Sequence, residues 1–215
     1  MLRAHNIAVS LDGFATGEGQ SFEAPFGHAG GRLMEWFLPT RTFVSLTGHD
    51  SDGEGTTGVD DTFAAAAWDG IGAEIMGRRK FGPQTGPWED DGWEGWWGDE
   101  PPFHTPVVVL THHDRADLVK GETTFSFVNA TPEAALARAS ALAGGLDVRL
   151  GGGPTVVREF LQAGLVDYLH IVVVPIVLSR GVRLWDDVEG IEAQFDIEST
   201  ASPTGVVHYV FTRRS

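Results

Sequence analysis

The stretch "VRLGGGPTVVREFLQAG", Val148 to Gly164, decides the fold. It starts as a short apolar strand ending at Leu150. It finishes as an amphipathic helix that opens with Pro154 at its first position and closes at Gly164. Between them stand Gly151, Gly152 and Gly153. A strand that runs straight into a helix is the unit of a parallel α/β sheet. One glycine satisfies a tight strand-to-helix turn that needs a positive φ, and three exceed that need. Glycines without a Cβ let an anion approach the unpaired N–H groups and positive dipole end of a helix N-terminus. Ligands of parallel sheets bind beyond the carboxyl ends of the strands, where this loop lies. The spacing is neither the Rossmann fingerprint nor a P-loop, because no Lys-Ser or Lys-Thr follows.

Working outward, the same alternation recurs. "HNIAVSL" near the N-terminus reads as a first strand ended by Asp12-Gly13. "GGRLMEWFL" has helical spacing at Leu33, Trp36 and Phe37 and is stopped by Pro39. Residues 45–60 are polar and Gly-rich, hence loop. "DTFAAAAWDGI" is a helix with Asp60 or Asp61 as its N-cap. "AEIMG" is a short strand and "RRKFG" a helical turn after it. "TPVVVLTHH" is a buried β-branched strand, and "TTFSFVN" a further one. "TPEAALARASALAGG" is a helix with Thr131 as N-cap and Pro132 at the first position. "YLHIVVVPIVL" is a long apolar strand, suited to the sheet centre or to a homodimer contact. "AQFDIESTAS" and "GVVHYVFTRR" pair across a turn at Ser202 to Gly205. The fold class is α/β, a three-layer sandwich with a mostly parallel central sheet and antiparallel C-terminal strands. Residues 1–215 read as a single domain. Within it, residues 83–104 form a Trp-rich surface loop holding Trp88, Trp93, Trp96 and Trp97.

Bulk properties narrow the function. The 215 residues are 42% hydrophobic, enough for one full core. No apolar run approaches the roughly 18 residues of a membrane span, and no signal peptide is visible at the N-terminus. A net charge of −15 argues against nucleic acid or anionic membrane as partner. The absence of cysteine excludes thiolate metal sites and fits a cytoplasmic location.

In so acidic a chain a cluster of positive charge is informative. "GRRK" puts Arg78, Arg79 and Lys80 at the start of a helical turn after Gly77. The helix dipole disfavours cations there unless an anion joins them. The other reading is a solvated basic patch. Thr111, His112 and His113 end a buried strand and are either exposed loop residues or polar contacts to a nucleotide. Adjacent histidines diverge, so no metal is expected there. "DSDGEGTTGVDD" puts Asp50, Asp52, Glu54, Gly55 and Asp61 at EF-hand-like positions. It lacks the final Glu and an incoming helix, so it reads as a solvated acidic loop. "AVSLDGFATG" is either a hairpin-like turn or a glycine-hinged lid carrying Phe14.

Taken in order, "VSLDGFATG", "IMGRRKFG", "PVVVLTHH", "LGGGPTVVREFLQAGLVDYLHIVVVPIVL" and "SRGVRLW" resemble the dihydrofolate-reductase-like superfamily. The nearer likeness is to the branch of the riboflavin-biosynthesis reductase domain. It spans roughly residues 5–212. The resemblance implies an oxidoreductase that binds NADPH and a small substrate, either heterocyclic or a carbonyl or imine compound. By resemblance, the Val9 backbone and Gly13, Phe14, Ala15 and Thr16 line the nicotinamide side. Gly77, Arg78 and Arg79 meet the phosphates of the adenosine half. Leu110, Thr111 and His112 flank the adenine and its ribose. Leu150, Gly151, Gly152, Gly153, Pro154, Thr155 and Val156 cradle the pyrophosphate. True dihydrofolate reductases carry a carboxylate three residues before a Trp-Phe pair, and here that position is Leu33. A pterin would lack its acidic anchor, so dihydrofolate is not the expected substrate. Glu35 and Asp12 are the candidate proton donors, with bound water the alternative. Trp36 and Trp88 are candidates for a substrate wall, and packing at a subunit interface is the other use of such aromatics. The competing function is a non-catalytic nucleotide-binding or interaction protein that keeps the fold.

Overall fold

The computed structural model describes residues 1–48, 54–88 and 92–214. Nine strands form one sheet: β1 (Leu2–Ser10), β3 (Ile71–Gly77), β4 (Pro106–Leu110), β5 (Leu118–Lys120), β6 (Thr123–Val128), β7 (Asp147–Leu150), β8 (Tyr168–Val174), β10 (Phe195–Ala201) and β11 (Val207–Arg213). Their order is β10-β11-β8-β1-β7-β3-β4-β6-β5. The six strands from β8 to β6 are mutually parallel, and β11, β10 and β5 are antiparallel to their neighbours. A separate ribbon pairs β2 (Phe14–Thr16) with β9 (Val182–Arg183). The helices are α1 (Arg41–Leu46), α2 (Val59–Ala66), α3 (Arg78–Phe81), α4 (Pro132–Leu142) and α5 (Pro154–Gln162).

One face of the sheet carries the larger core. α4 packs across β3, β4 and β7, and α5 contributes Val157, Phe160 and Leu161. These bury Ala4, Ile75, Val108, Val148 and Leu150 of the strands beneath. α4 starts where the Thr131 hydroxyl accepts from the Ala134 N–H, with Pro132 next in line. The opposite face has two separate covers. Over β1, β8 and β11 lie Phe14, Leu33, Trp36, Phe37 and Ala64. Over β3, β4 and β6 lie Phe81, Phe103 and the partly buried Trp88, Trp93 and Trp97. A cleft opens between these two covers.

The structure departs from the sequence expectations at identifiable points. "GGRLMEWFL" is not an α-helix: a 3-10 segment runs over Gly27–Leu33 and turns follow to Pro39. Gly30 sits there at φ 55°, ψ −145°, which no helix accommodates. The loop expected over 45–60 is entered from α1, capped by the Thr40 hydroxyl on the Phe43 N–H. Gly58, not Asp60 or Asp61, precedes α2. Asp61 accepts from the Thr42 backbone and hydroxyl instead. Asp50 and Asp52 lie outside the described residues. β8 ends at Val174, before Pro175, whose missing N–H cannot continue the ladder. β2, β5 and β9 have two or three residues each, too few for a periodic pattern. Residues 83–104 hold no regular element among those described, yet Trp88, Trp93 and Trp97 turn inward onto the core over β4 and β6.

Candidate functional site

The carboxyl ends of β7, β3 and β4 meet at one rim of the cleft. The Gly77 N–H donates to the Gly152 carbonyl at 2.7 Å, and the Gly151 N–H to the Ile75 carbonyl at 2.9 Å. Gly77 also pairs with Leu110. The strand order therefore gathers "GRR", "LTH" and "GGGPT" side by side. The cleft measures about 1560 Å³ and runs from this rim across the open sheet face. That exceeds the roughly 300–1,000 Å³ of most small-molecule pockets and leaves room for two ligands.

The three glycines do different jobs. A Cβ on Gly151 would come within 2.2 Å of Glu74 Oε1 and 2.3 Å of Lys80 Nζ. Gly151 is thus required by an ion pair of the protein itself. Gly152 has φ 100°, a conformation that L side chains rarely adopt. A Cβ on Gly153 would meet nothing within 4 Å. Gly153 is also the N-cap of α5, and no side chain caps that helix. The first-turn N–H groups of Thr155 and Val156 therefore face the cleft without a capping side chain.

Arg78 and Arg79 differ likewise. The Arg78 guanidinium lies 3.8 Å from the Trp88 ring and donates to the Gly86 carbonyl, so it fastens the Trp-rich segment. Burial and the nearby Arg115 lower its pKa. Arg79 is exposed at the cleft, and its side chain has no partner among the described residues.

Below the rim the floor is charged. Arg3, Arg149, Glu74 and Val107 lie side by side across β1, β7, β3 and β4, and His5 follows two residues after Arg3. Glu74 is buried, accepts from Lys80 Nζ at 2.7 Å and sits 3.5 Å from Arg149 Nε. Burial lowers the Lys80 pKa, and the Glu74 carboxylate opposes that shift. The Trp68 ring covers the Arg149 guanidinium at 3.9 Å. Of these floor residues only Lys80, as part of "GRRK", was singled out in the sequence. Their signal was a charge inside an apolar strand, Glu74 in "AEIMG" and Arg149 in "LDVRL".

Of the residues predicted to bind cofactor, the Gly77–Arg79 turn, Leu110–His112 and Gly151–Val156 line the cleft, as do Ala15 and Thr16. His112 is exposed, with Nδ1 at 3.4 Å from Asn129 Oδ1. Val9, Phe14 and Leu150 are buried beneath the surface of the cleft, and Gly13 lies outside it.

The proposed proton donors are not brought to the cleft. Asp12 accepts from the Ser10 hydroxyl and from the Leu178 and Ser179 N–H groups. These bonds, Ser10 foremost, pull its pKa down to about 2. It latches β1 to the segment before β9. Glu35 is exposed and outside the cleft, whereas Leu33 lines it. Of the two tryptophans proposed as a substrate wall, Trp36 is buried edge-on against His208. Trp88 lies beneath Arg78 and donates to the His113 carbonyl. Trp96 and Trp97 are the members of the Trp-rich segment that reach the cleft. Among the described residues no cluster of His, Asp and Glu could hold a metal ion.

The sequence matches the family model of the RibD C-terminal domain over residues 4–208. A search of curated proteins found no match. Several solved structures share the fold. One is a diaminohydroxyphosphoribosylaminopyrimidine deaminase/5-amino-6-(5-phosphoribosylamino)uracil reductase from Thermotoga maritima, with a TM-score of 0.55 and 13% identity, covering 99% of this chain and 56% of that one. Another is dihydrofolate reductase from Enterococcus faecalis complexed with NADP(H), with a TM-score of 0.52 and 13% identity, covering 100% and 97%. A third is a pyrimidine reductase-like protein from Corynebacterium diphtheriae, with a TM-score of 0.51 and 13% identity, covering 100% and 92%.

Proposed function

The chain belongs to the family of the RibD C-terminal domain, and from that premise we propose that it is an NADPH-dependent reductase of a small heterocyclic substrate. The observation that carries this reading is the gathering of three strand-end loops at one rim of a cleft large enough for a dinucleotide and a second molecule. Two solved relatives support it, one a deaminase/5-amino-6-(5-phosphoribosylamino)uracil reductase and one a dihydrofolate reductase complexed with NADP(H).

The rim suits a dinucleotide. The open side of Gly153 and the uncapped first turn of α5 offer backbone N–H groups to a pyrophosphate. Arg79 is placed to pair with a further phosphate, and a phosphate on the adenosine ribose distinguishes NADPH from NADH. Leu110, Thr111 and His112 would border the adenine end. When bound, the cofactor supplies the hydride. The protein orients the two rings and excludes water between its two covers. Ala15 and Thr16 on β2 form one wall, held by the Asp12 latch.

Arg79→Glu tests this reading, because Arg78 also fastens the Trp-rich segment through Nη1 and its stacking on Trp88, although its Nε and Nη2 stay unpartnered, whereas the Arg79 side chain has no partner among the described residues. NADPH binding should weaken by about tenfold more than NADH binding, as expected for one charge-assisted phosphate contact. Tryptophan fluorescence during cofactor titration measures both. Equal weakening would assign Arg79 no part in reading the ribose phosphate, and an absence of NADPH binding by the unaltered protein would overturn the reductase reading.

A further inference from the structure

On the floor of the cleft, three residues keep buried N–H donors with nothing to donate to. Arg149 Nη1, His5 Nδ1 and Trp68 Nε1 are buried and lack a partner among the described residues, and Arg149 Nε, 3.5 Å from Glu74, makes no hydrogen bond there either. Arg149 and His5 are more than nine-tenths buried, and all three residues line the cleft. Buried donors are nearly always paired in a native protein, and leaving one unpaired is unfavourable. Three in one wall of a cleft point to an acceptor that comes from outside.

The protonation states are fixed by the neighbours. Arg3 Nε can only donate, and it donates to His5 Nε2 at 3.1 Å. The His5 proton therefore sits on Nδ1, the unpartnered atom. Burial, aided by Arg3, pushes the His5 pKa down to about 2, so the ring stays neutral. Trp68 can only donate. The cations Arg149 and Lys80 face one carboxylate, Glu74, which leaves this part of the floor one positive charge in excess. Glu74 already engages Lys80 at 2.7 Å and reaches Arg149 Nε only at 3.5 Å. In a chain of net charge −15, a local excess of positive charge inside a low-dielectric cleft concentrates anions there.

We propose that this floor is the subsite for an oxyanion group of the substrate, a carboxylate or a phosphate. Arg149 supplies the charge, and His5 and Trp68 are its neutral donors. That the ligand is a substrate rests on the reductase reading, but anion binding does not. The subsite lies on the sheet face around Arg149, and Gly151, where a Cβ would meet Glu74 and Lys80, stands in sequence between Arg149 and the uncapped start of α5.

The indole N–H resonance of Trp68, identified by its loss in Trp68→Phe, reports on the site directly. Inorganic phosphate and acetate are titrated separately, each with and without saturating NADPH. The expected result is a saturable shift of this resonance that persists with NADPH bound and weakens about tenfold in Arg149→Gln. A stronger response to phosphate or to acetate tells which oxyanion the site takes. No shift with either anion would overturn the proposal from the unaltered protein alone, whatever the variant's stability. So would loss of the shift once NADPH is bound, because the floor would then belong to the cofactor. A shift without any NADPH binding would sink the reductase reading and leave the anion site standing.

Discussion

Two buried polar clusters lie on the same face of the sheet, and they are built on opposite principles. Under the cover of β8 and β11, His170 Nε2 meets His208 Nδ1 at 3.0 Å, and His208 Nε2 meets Asp60 Oδ1 at 2.8 Å. The Thr204 hydroxyl donates to Asp60 Oδ2, and the Asn6 N–H reaches His170 Nδ1. The Phe63 ring stacks on both imidazoles. All four ring nitrogens of His170 and His208 have a partner. Asp60 orients the whole of it, since its acceptance from His208 Nε2 leaves Nδ1 free to accept from His170. In the cleft floor, Arg149, His5 and Trp68 each keep a donor unmatched. A closed network specifies a fold, whereas an open one facing a cleft is suited to complete itself with a ligand.

Acid breaks both clusters and should have the largest effect. Burial lowers the pKa of His170 to about 3 and that of His5 to about 2, from an ordinary 6.5. Above pH 6.5 neither the folded nor the unfolded chain protonates these rings, and stability is unaffected by them. As pH falls below 6.5 the unfolded chain takes up protons that the fold refuses. Stability then drops by about 1.4 kcal/mol per pH unit for each histidine. The loss runs down to about pH 3 for His170 and about pH 2 for His5. Denaturant midpoints measured from pH 7 to pH 4 should show this slope, and His5→Phe should remove one histidine's share. A flat profile would mean that the rings are solvated and the clusters looser than described.

Removing one member of each cluster separates them next. Asp60→Ala leaves His208 Nε2 and the Thr204 hydroxyl without their acceptor and should cost about 2–3 kcal/mol. Arg149→Met removes a cation whose hydrogen bonds are mostly unmade, and Glu74 keeps Lys80. It should change stability by less than about 1 kcal/mol, because an apolar replacement of a poorly paired buried charge is often neutral. Thermal unfolding of the two variants decides the matter. Equal losses would erase the distinction between the closed and the open cluster.

The sequence made one of these clusters harder to see than the rest of the fold. Strands and helices with whole periods were legible: Thr131-Pro132 starts α4, Pro154 starts α5, and the β-branched run of β4 is buried. The rim was legible too, because glycines and arginines at strand ends are local signals. Gly153 and the exposed cation Arg79 both line the cleft. The floor was not, because it depends on strand order. Glu74 and Arg149 are 75 residues apart in number only until β3 and β7 become neighbours. Asp60 looked like a helix cap for the same reason: its partner His208 is separated from it by most of the chain. Asp12 looked like an acid near the site, but two backbone N–H groups from the segment before β9 claim it.

The smallest predicted effects fall on the triple glycine, where the closed and open principles meet in adjacent residues. Gly151→Ala pushes a Cβ against Glu74 Oε1 and Lys80 Nζ, at 2.2 and 2.3 Å. Both atoms are side-chain ends and can give way, but Glu74 is buried and has little room, so the cost should be about 1 kcal/mol. Gly153 has φ −76°, which alanine adopts freely, and open space where its Cβ would go. Gly153→Ala should therefore change stability by no more than about a few tenths of a kcal/mol. Its methyl group would instead stand between the α5 N–H groups and an approaching pyrophosphate, weakening NADPH by about tenfold. Unfolding midpoints and cofactor titrations on the pair give four numbers. The reading holds only if the glycine that matters to the fold and the glycine that matters to the ligand are different ones.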